Sequence, residues 1–388
     1  MTAKTLVHCG VLIDGTGADA RPSQTVVAQD GKIAEVVPGL RPPQAGDTLL
    51  DWSRLVVIPG IFDCHDHLTM DFDDSTDPRE DWAIYLTARA VRNCRRLLAA
   101  GITTLRDLGA KNSINCKIKR LLEVGLVKGP DLQVAGQMIV RTGYPEWPYC
   151  HEADGAEGMR VAVRLERKAG ADWAKLMATG SVAGEGSSPR QAEMRPEEIR
   201  AAIDEAHALG IKIAAHAYGG PAATQCIELG IDSIEHGTWL TESDLAEMAN
   251  RGIYLVVTYG VFPLLLRTPG LPESMYVKAK QAAGQYLETI TKVHKAGVKV
   301  ATGGDGCHAD PAAEMKALVD GGFAPMEALC ALTRNGAELC GLSSSKGTVE
   351  AGKQADLVGL ARNPLEDQLA VREVKAVMKA GEVHVGAC

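Results

Sequence analysis

Aromatic residues are scarce in this sequence: they make up 4% of its 388 residues, although 46% of all residues are hydrophobic. The core must therefore consist mainly of aliphatic side chains and alanine, as is normal for α/β proteins with buried parallel strands. No apolar stretch approaches the roughly 20 residues that a membrane-spanning helix needs. The first eight residues also lack the apolar segment of a signal peptide. We expect a cytoplasmic protein that does not enter a membrane.

Two further absences narrow the functional classes. The ten cysteines include no Cys-x-x-Cys pair, which indicates reduced and mostly buried thiols rather than a disulfide framework. The formal net charge is -8 and the sequence has no cluster of lysine and arginine, so a nucleic-acid-binding surface is not expected. These features predict a partner that is a small-molecule substrate rather than a nucleic acid or a membrane.

Both ends of the chain have the pattern of short strands joined by turns. Near the N-terminus these strands are residues 6–13, 25–28 and 32–37, of which the first two are followed by Asp-Gly turns. Residues 355–360 and 374–378 have the same character. Neither end contains much of an independent core. We therefore predict that residues 1–58 and 346–388 pair into one small β-sandwich domain.

Between the two ends, eight β-like segments alternate with helical patterns. The intervening stretches, such as residues 195–209, have amphipathic helical spacing and usually end near glycine. Eight β/α repeats predict a closed (β/α)8 TIM barrel over residues 59–345, with an active site at the C-terminal ends of the strands. An open doubly wound sheet is the alternative, but no Gly-x-Gly-x-x-Gly turn follows the first strand. The predicted strands are residues 56–63, 103–108, 132–140, 173–178, 211–217, 233–237, 254–258 and 299–303.

Two histidines, His65 and His67, come directly after the first of these strands. Side chains alternate between the two faces of an extended strand, so residues i and i+2 point the same way. Neutral imidazole is the commonest biological ligand for zinc. Two imidazoles on one face at the mouth of a barrel therefore predict a metal site.

Four more polar residues lie at equivalent places on other strands. Lys175 lies inside the otherwise apolar fourth strand, His216 and His236 lie on the fifth and sixth strands, and Asp305 follows the eighth. Each has an ordinary explanation by itself, since single histidines are often packed and a strand lysine can extend to solvent. Together with the first histidine pair, however, they form a set on five strands of one barrel. Such a set predicts a metal centre.

This pattern resembles the amidohydrolase superfamily over nearly the whole chain, including the split β domain. Residues 152–155, 169–180, 216–219 and 232–238 are similar to the branch that contains metal-dependent dipeptidases and prolidase-like enzymes. The resemblance is closest to binuclear members, in which the strand-4 lysine is carboxylated by CO2 and bridges two divalent metals. It implies one metal on His65, His67 and Asp305 and a second on His216 and His236, with carboxylated Lys175 between them. Zinc is the expected metal.

The chemistry that this resemblance implies is hydrolysis of amide-like bonds. A free ammonium cannot bind a cation, whereas the carbamate formed on Lys175 has oxygen donors and a negative charge. Two metals that share a water can make hydroxide available near neutral pH and polarise the scissile carbonyl. Asp305 can take the proton of the attacking water and deliver it to the leaving nitrogen. Tyr218, two residues beyond His216, can donate a hydrogen bond to the developing oxyanion.

The substrate side departs from the family pattern. Related sequences often have a Gly-Gly-His loop after the third strand, whereas this chain has Tyr144 in place of that histidine, within residues 141–147. Arg141 could bind a substrate carboxylate in bidentate fashion, or it could form a salt bridge within the loop. His308, three residues past Asp305, is a further candidate for substrate contact.

The leading hypothesis is therefore a binuclear metal-dependent hydrolase that cleaves dipeptides or N-acyl amino acids by attack of a metal-bridged hydroxide. One alternative is hydrolysis of carbamates, ureas or other amides that lack the carboxylate, because the same hydroxide serves any such carbonyl. A non-catalytic scaffold with the same barrel is the third hypothesis, and the complete ligand set argues against it. The resemblance also implies a homo-oligomer.

Overall fold

The computed structural model of the chain describes residues 4–70, 82–145, 150–184, 186–306 and 309–386. Within these ranges, none of the helices combines the length and the apolar character that a membrane span requires.

Strands from both ends of the chain form one seven-stranded sheet. They are β1 (Thr5–Leu12), β2 (Arg21–Gln29), β3 (Lys32–Pro38), β4 (Thr48–Pro59), β15 (Leu357–Leu360), β16 (Val374–Lys379) and β17 (Glu382–Val385). Their order is β17-β16-β15-β4-β1-β2-β3, in which β1 and β4 are parallel and the other pairs antiparallel. The sheet buries its own apolar core around Val7, Trp52 and Met378. The predicted β domain made from both ends is present, and its boundaries at residues 58 and 346 stay a prediction.

The described residues in the central part of the chain form ten parallel strands. They are β5 (Ile61–Asp66), β6 (Ile102–Asp107), β7 (Asp131–Val134), β8 (Met138–Val140), β9 (Cys150–Glu152), β10 (Trp173–Met177), β11 (Lys212–Gly219), β12 (Ser233–Trp239), β13 (Tyr254–Val257) and β14 (Val300–Thr302). β7 pairs with β6, and β8 pairs with β10, so these two short strands together make the third strand of the predicted barrel. β9 is an additional strand at the side of β8.

The first and last barrel strands meet beside His65. The Asp305 backbone N–H donates to the His65 carbonyl at 2.8 Å. A Cβ atom on Gly303 would lie 2.5 Å from the His65 Cβ, so only glycine allows the chain to pass this close. The carboxylates of Asp63 and Asp66 accept from the backbone N–H groups of residues 304 and 306 at 3.0 and 2.9 Å. These contacts fix the backbone of Asp305 at the C-terminal end of β5.

Helices alternate with the barrel strands and frequently end where the sequence places glycine. The helices α3, α6 and α8 end at glycines 170, 252 and 297, whose φ angles of 110°, 69° and 70° suit a residue without a Cβ. The helices are α1 (Trp82–Ala99), α2 (Ile114–Glu123), α3 (Gly155–Ala169), α4 (Pro196–Ala208), α5 (Pro221–Glu228), α6 (Glu242–Arg251), α7 (Val261–Leu265), α8 (Glu273–Ala296), α9 (Pro311–Asp320), α10 (Pro325–Leu332) and α11 (Arg334–Leu339). The architecture is the predicted TIM-like barrel with a β domain, which confirms the fold class.

Candidate active site

The six predicted metal ligands converge on one cavity at the C-terminal ends of the barrel strands. Its volume is about 70 Å³. Besides His65, His67, Lys175, His216, His236 and Asp305, the residues that line it are Met70, Met138, Met177, Ser181, Val182, Ala183, Tyr218, Val261 and Leu265. The wall around the polar centre is therefore largely apolar. Lys175, from the fourth barrel strand, is 1% exposed.

The first pair of imidazoles is turned toward Asp305 by hydrogen bonds at the opposite ring nitrogens. His65 Nδ1 lies 2.7 Å from Glu235 Oε2, and His67 Nδ1 lies 2.9 Å from the Gly109 carbonyl oxygen. Their Nε2 atoms lie 3.4 and 3.6 Å from Asp305 Oδ1. Because the Nδ1 atoms are engaged, both Nε2 lone pairs are available on the cavity side.

The second pair consists of His216 and His236, whose rings meet edge to face at an interplanar angle of 68°. His236 Nε2 lies 2.9 Å from His216 Nδ1, while His236 Nδ1 lies 2.8 Å from Thr258 Oγ1. The remaining nitrogen, His216 Nε2, lies 3.2 Å from the Gly180 carbonyl oxygen. Two ring nitrogens this close together are near enough to serve as two ligands of one ion.

Burial keeps three of these histidines, His67, His216 and His236, neutral at physiological pH. Desolvation, followed by the charge of His65, lowers the pKa of His67 to about 4. Desolvation and the nearby charge of Lys175 lower the pKa of His216 to about 3, and desolvation together with His216 brings the pKa of His236 well below its usual range. Neutral imidazole is the form that binds a metal, so the set is ready to ligate without losing a proton.

Asp305 and His236 both adopt the left-handed backbone conformation, with φ angles of 51° and 73°. Such conformations in non-glycine residues are strained and are concentrated at functional sites. Burial opposes ionisation of Asp305, but its interactions with His65, followed by those with His236 and His67, outweigh this effect and hold the pKa of Asp305 well below its usual range. The side chain is thus a carboxylate at neutral pH.

The donor set fits a divalent metal. Ligand atoms of His65, His236 and Asp305 all lie within 4.8 Å of one another. Neutral imidazoles and a carboxylate are the nitrogen and oxygen donors that zinc and similar ions prefer. An ammonium on Lys175 would repel such an ion, and the same charge already lowers the pKa of His67 and His216. Conversion of that side chain to an anionic carbamate would remove this conflict.

A buried ion pair beneath the first histidine escaped the sequence analysis. Arg106 donates from Nη2 to both carboxylate oxygens of Glu235, at 2.9 and 3.0 Å, and neither side chain is exposed. The guanidinium also lies over the Trp173 ring, 4.4 Å from its centroid. Burial opposes ionisation of Glu235, but Arg106 and His65 bring its pKa down to about 2. The available sequence signal was a charged residue inside each of two strand segments, at positions 106 and 235.

Tyr218 lines the cavity, whereas the described residues predicted to bind the substrate are not seen there. Tyr218 lines the cavity and stacks on His236, with ring centroids 4.8 Å apart and an interplanar angle of 18°. Arg141 and Tyr144 are not among the described residues that line the cavity. Arg141 pairs with Glu193, Nε to Oε2 at 2.6 Å, and Tyr144 is fully buried beside the cavity wall. Their substrate-binding roles stay predictions, and His308 lies outside the described residues.

Comparison with known proteins gives consistent results across sequence and structure. Residues 56–384 match the amidohydrolase family. An ochratoxinase from Aspergillus niger is 30% identical over 427 residues, which cover 98% of this chain and 87% of the relative. A Xaa-Pro dipeptidase with methionine bound in its active site superimposes with a TM-score of 0.94 at 27% identity, covering 99% of this chain and 100% of that chain. A prolidase complexed with N-methylphosphonate-L-proline superimposes with a TM-score of 0.91 at 27% identity and the same coverage.

Proposed function

The chain belongs to the amidohydrolase family and is a hydrolase that acts on C–N bonds, and on this premise we propose that it is metal-dependent and cleaves dipeptides or N-acyl amino acids. The observation that carries the proposal is the convergence of four histidines, Lys175 and Asp305 on one cavity. The dipeptidase, prolidase and ochratoxinase among the similar proteins support an amide substrate. Family membership confirms the resemblance and leaves the non-catalytic scaffold without support.

We further propose two divalent metals, with zinc as the expected ion. His65, His67 and Asp305 would hold one, and His216 and His236 would hold the other, with Lys175 as a carbamate between them. Bound divalent cations would supply Lewis acidity, which makes water more acidic and polarises a carbonyl. The support for this assignment is the orientation of the ring nitrogens and the neutrality of the imidazoles.

Asp305 and Tyr218 are the proposed catalytic side chains. Hydrolysis forms a C–O bond between water and the carbonyl carbon and breaks the C–N bond, yielding a carboxylic acid and an amine. Asp305 would accept a proton from the attacking water and return it to the leaving nitrogen. Its carboxylate is ionised and 20% exposed at the cavity, as the first of these roles requires. The Tyr218 hydroxyl would donate to the carbonyl oxygen as negative charge develops there.

Hydrolysis of carbamates, ureas or other amides without a carboxylate is a second candidate, favoured by the state of Arg141. This guanidinium, the predicted carboxylate ligand, is already engaged by the carboxylate of Glu193. Among the described residues that line the cavity, the only cationic or cationisable groups are Lys175 and the histidines. A neutral substrate would need no further cation.

A matched substrate panel tests the proposal. The purified protein, supplied with bicarbonate and zinc, would be assayed on dipeptides and N-acyl amino acids, on the same compounds with an amidated C-terminus, and on carbamates and phenylureas. We expect hydrolysis of the free acids that is abolished by a chelator and restored by metal. Equal turnover of acids and amides would favour the second candidate, hydrolysis of substrates without a carboxylate. Turnover unaffected by metal removal would refute metal dependence.

Further proposals concern the location, the partners and the assembly state of the protein. We propose that the protein acts on a small molecule in the cytoplasm as a homo-oligomer, without nucleic-acid or membrane partners. The mass of the purified protein in solution, measured by light scattering, would show whether it assembles.

A further inference from the structure

The turn that follows the seventh barrel strand leads into part of the apolar wall of the cavity. The strand β13 ends at Val257, and the short helix α7 begins at Val261. Val261 and Leu265, both on α7, are buried and line the cavity. Their side chains have no polar atom, so a substrate group that lies against them gains most if it is apolar. The position of α7 therefore helps to decide which group fits beside the proposed metal ligands.

Glu314, on α9, holds the backbone of this turn. Its Oε2 atom accepts from the Tyr259 N–H at 2.7 Å, and its Oε1 atom accepts from the Gly260 N–H at 2.5 Å. Glu314 is 1% exposed, so the loss of either contact would leave a buried polar group poorly satisfied. The two residues held in this way come directly before α7. Glu314 thereby fixes the point from which the apolar wall starts.

A further contact fixes the beginning of the same turn. The Thr258 N–H donates to the hydroxyl oxygen of Tyr286 at 3.0 Å, and Tyr286 is a buried residue of α8. The Thr258 hydroxyl oxygen in turn lies 2.8 Å from His236 Nδ1. Three successive backbone N–H groups, those of residues 258–260, are thus held by buried side chains from two helices. Because each of them is engaged, α7 cannot shift at this end without breaking a hydrogen bond.

The ionisation of Glu314 determines when its two contacts are strongest. Burial raises the pKa of Glu314 to about 8, although the N–H groups of Gly260 and Tyr259 oppose this shift. A carboxylate accepts at both oxygens, whereas a protonated carboxyl has an O–H donor at one of them. Above its pKa, Glu314 therefore matches both N–H donors. A glutamine cannot do so, because its NH2 group would face a second donor.

We propose that Val261 and Leu265 form an apolar subsite for an aliphatic acyl group of the substrate, and that Glu314 is the positioning residue that holds this subsite in place. Glu314 acts through the backbone of the turn and is not among the described residues that line the cavity. The proposed leaving group carries a carboxylate, which an apolar wall cannot satisfy, so the wall suits the acyl side. The inference rests on the proposed amide hydrolysis for this assignment of the acyl side.

Binding of straight-chain carboxylates, which resemble the acid product of hydrolysis, tests the subsite without turnover. Acetate, propanoate, butanoate and pentanoate would be titrated calorimetrically into the zinc-supplied protein at about pH 9, above the pKa of Glu314. The affinity of the wild type should rise by up to about fourfold with each added CH2 group. Leu265→Ala and Glu314→Gln should reduce this increment and change the affinity for acetate little. Asp320→Asn, which removes an exposed carboxylate from the same helix, should match the wild type.

The chain-length increment separates positioning from a merely structural role. If Glu314 only kept the protein folded, Glu314→Gln would weaken the binding of every carboxylate by the same factor. Combining Leu265→Ala with Glu314→Gln should reduce the increment no further than Leu265→Ala does, because both changes act on one wall. Should Glu314→Gln not fold, Glu314→Asp, which keeps the charge on a shorter side chain, gives the same comparison.

A measurement on the metal-free protein needs neither substrate nor zinc. The methyl resonances of Val261 and Leu265, followed by NMR, should shift in Glu314→Gln and stay in place in Asp320→Asn. Unshifted methyl resonances, a uniform loss of affinity or an unchanged increment in Glu314→Gln would overturn the positioning role. No increment in the wild type would overturn the subsite. An increment without turnover of any amide would support the subsite and count against the proposed hydrolysis, so the two failures are distinguishable.

Discussion

Replacing Glu235 by glutamine tests whether the buried ion pair beneath the proposed metal centre orients His65. Glu235 accepts from His65 Nδ1 at 2.7 Å, from Arg106 at 2.9 and 3.0 Å, and from the Ser233 hydroxyl at 2.5 Å. Neither Glu235 nor Arg106 is exposed. A glutamine of the same shape has one oxygen and one NH2 group, so it cannot accept from both His65 and Arg106 with the full carboxylate geometry.

Two separate losses are expected from Glu235→Gln. The first concerns stability: breaking a buried ion pair on one side leaves an uncompensated guanidinium and costs about 3–5 kcal/mol of unfolding free energy. The second concerns the metal: losing the partner that orients a ligating histidine weakens metal affinity about 10- to 100-fold. Denaturant unfolding of the metal-free protein measures the first quantity. Competition with a chromophoric chelator measures the second.

The double variant Arg106→Met with Glu235→Gln separates these two effects. Removing both charges should recover much of the stability, because no buried charge is then left unpaired. It should not recover the full metal affinity, because the neutral amide oxygen that can then accept from His65 makes the imidazole a weaker ligand than a carboxylate does. If Glu235→Gln binds metal as tightly as the wild type, the orienting role of the carboxylate is refuted. If it unfolds at the wild-type denaturant concentration, the reasoning about the buried charge fails.

Three further predictions concern other charged residues. Asp305→Asn should keep the fold and lose roughly two to four orders of magnitude in kcat, and a near-normal kcat would remove Asp305 from proton transfer. Lys175→Ala should lose metal and activity, with partial rescue by a small carboxylate such as formate; metal analysis and assays with and without formate would check this. Burial opposes ionisation of Asp131, but Lys346 and Lys379, each 2.6 Å away, lower its pKa to about 2. Its stabilising contribution is therefore present above the ordinary carboxyl pKa of about 4 and lost as the pH falls toward 2. The difference in thermal midpoint between wild type and Asp131→Asn should shrink as the pH falls across that interval. A difference independent of pH would contradict the stabilising role of the Asp131 charge.

The convergence of the proposed metal ligands on one cavity could be predicted because local rules place these residues. Strand alternation puts His65 and His67 on one side, and parallel strands bring their C-terminal ends to one face of a barrel. These rules need no knowledge of distant contacts. The same logic predicted Lys175 on the fourth strand, where the structure buries it within the cavity wall.

The division of the third barrel strand could not be predicted in the same way. The sequence pattern predicts one strand over residues 132–140, whereas the structure has two strands, β7 and β8, separated by residues 135–137. At Gly136, with φ 73°, a Cβ would lie 2.2 Å from Glu166 Oε2. The Glu166 carboxylate occupies this space and accepts from the Gln137 backbone N–H at 3.0 Å. A break caused by a side chain from a following helix has no signature in the periodicity of the strand itself.

The supporting contacts escaped prediction for a related reason. Arg106 and Glu235 are 129 positions apart in the sequence. Each alone is an ordinary charged residue, and only the assembled strands bring the two together. The sequence gives no sign of the contacts between Lys278 and the backbone carbonyls of Ser181 and Ser187, because every residue has such a carbonyl. Sequence periodicity identifies which face a residue occupies, but it does not identify a partner on another strand or helix.

The pairing of Arg141 constrains how a substrate carboxylate can be recognised. Glu193, its partner, is 2% exposed, whereas Arg141 is 37% exposed. If Arg141 turned toward a substrate, it would leave a buried carboxylate without its charged partner, and one substrate contact would have to outweigh that cost. A preference for free acids would therefore point to donors other than Arg141, such as backbone N–H groups at the cavity or the predicted His308. Assays on acid and amide substrates therefore test both the proposed function and the role of Arg141 in carboxylate recognition. If a large preference for acids persists in Arg141→Met, carboxylate recognition belongs to those other donors.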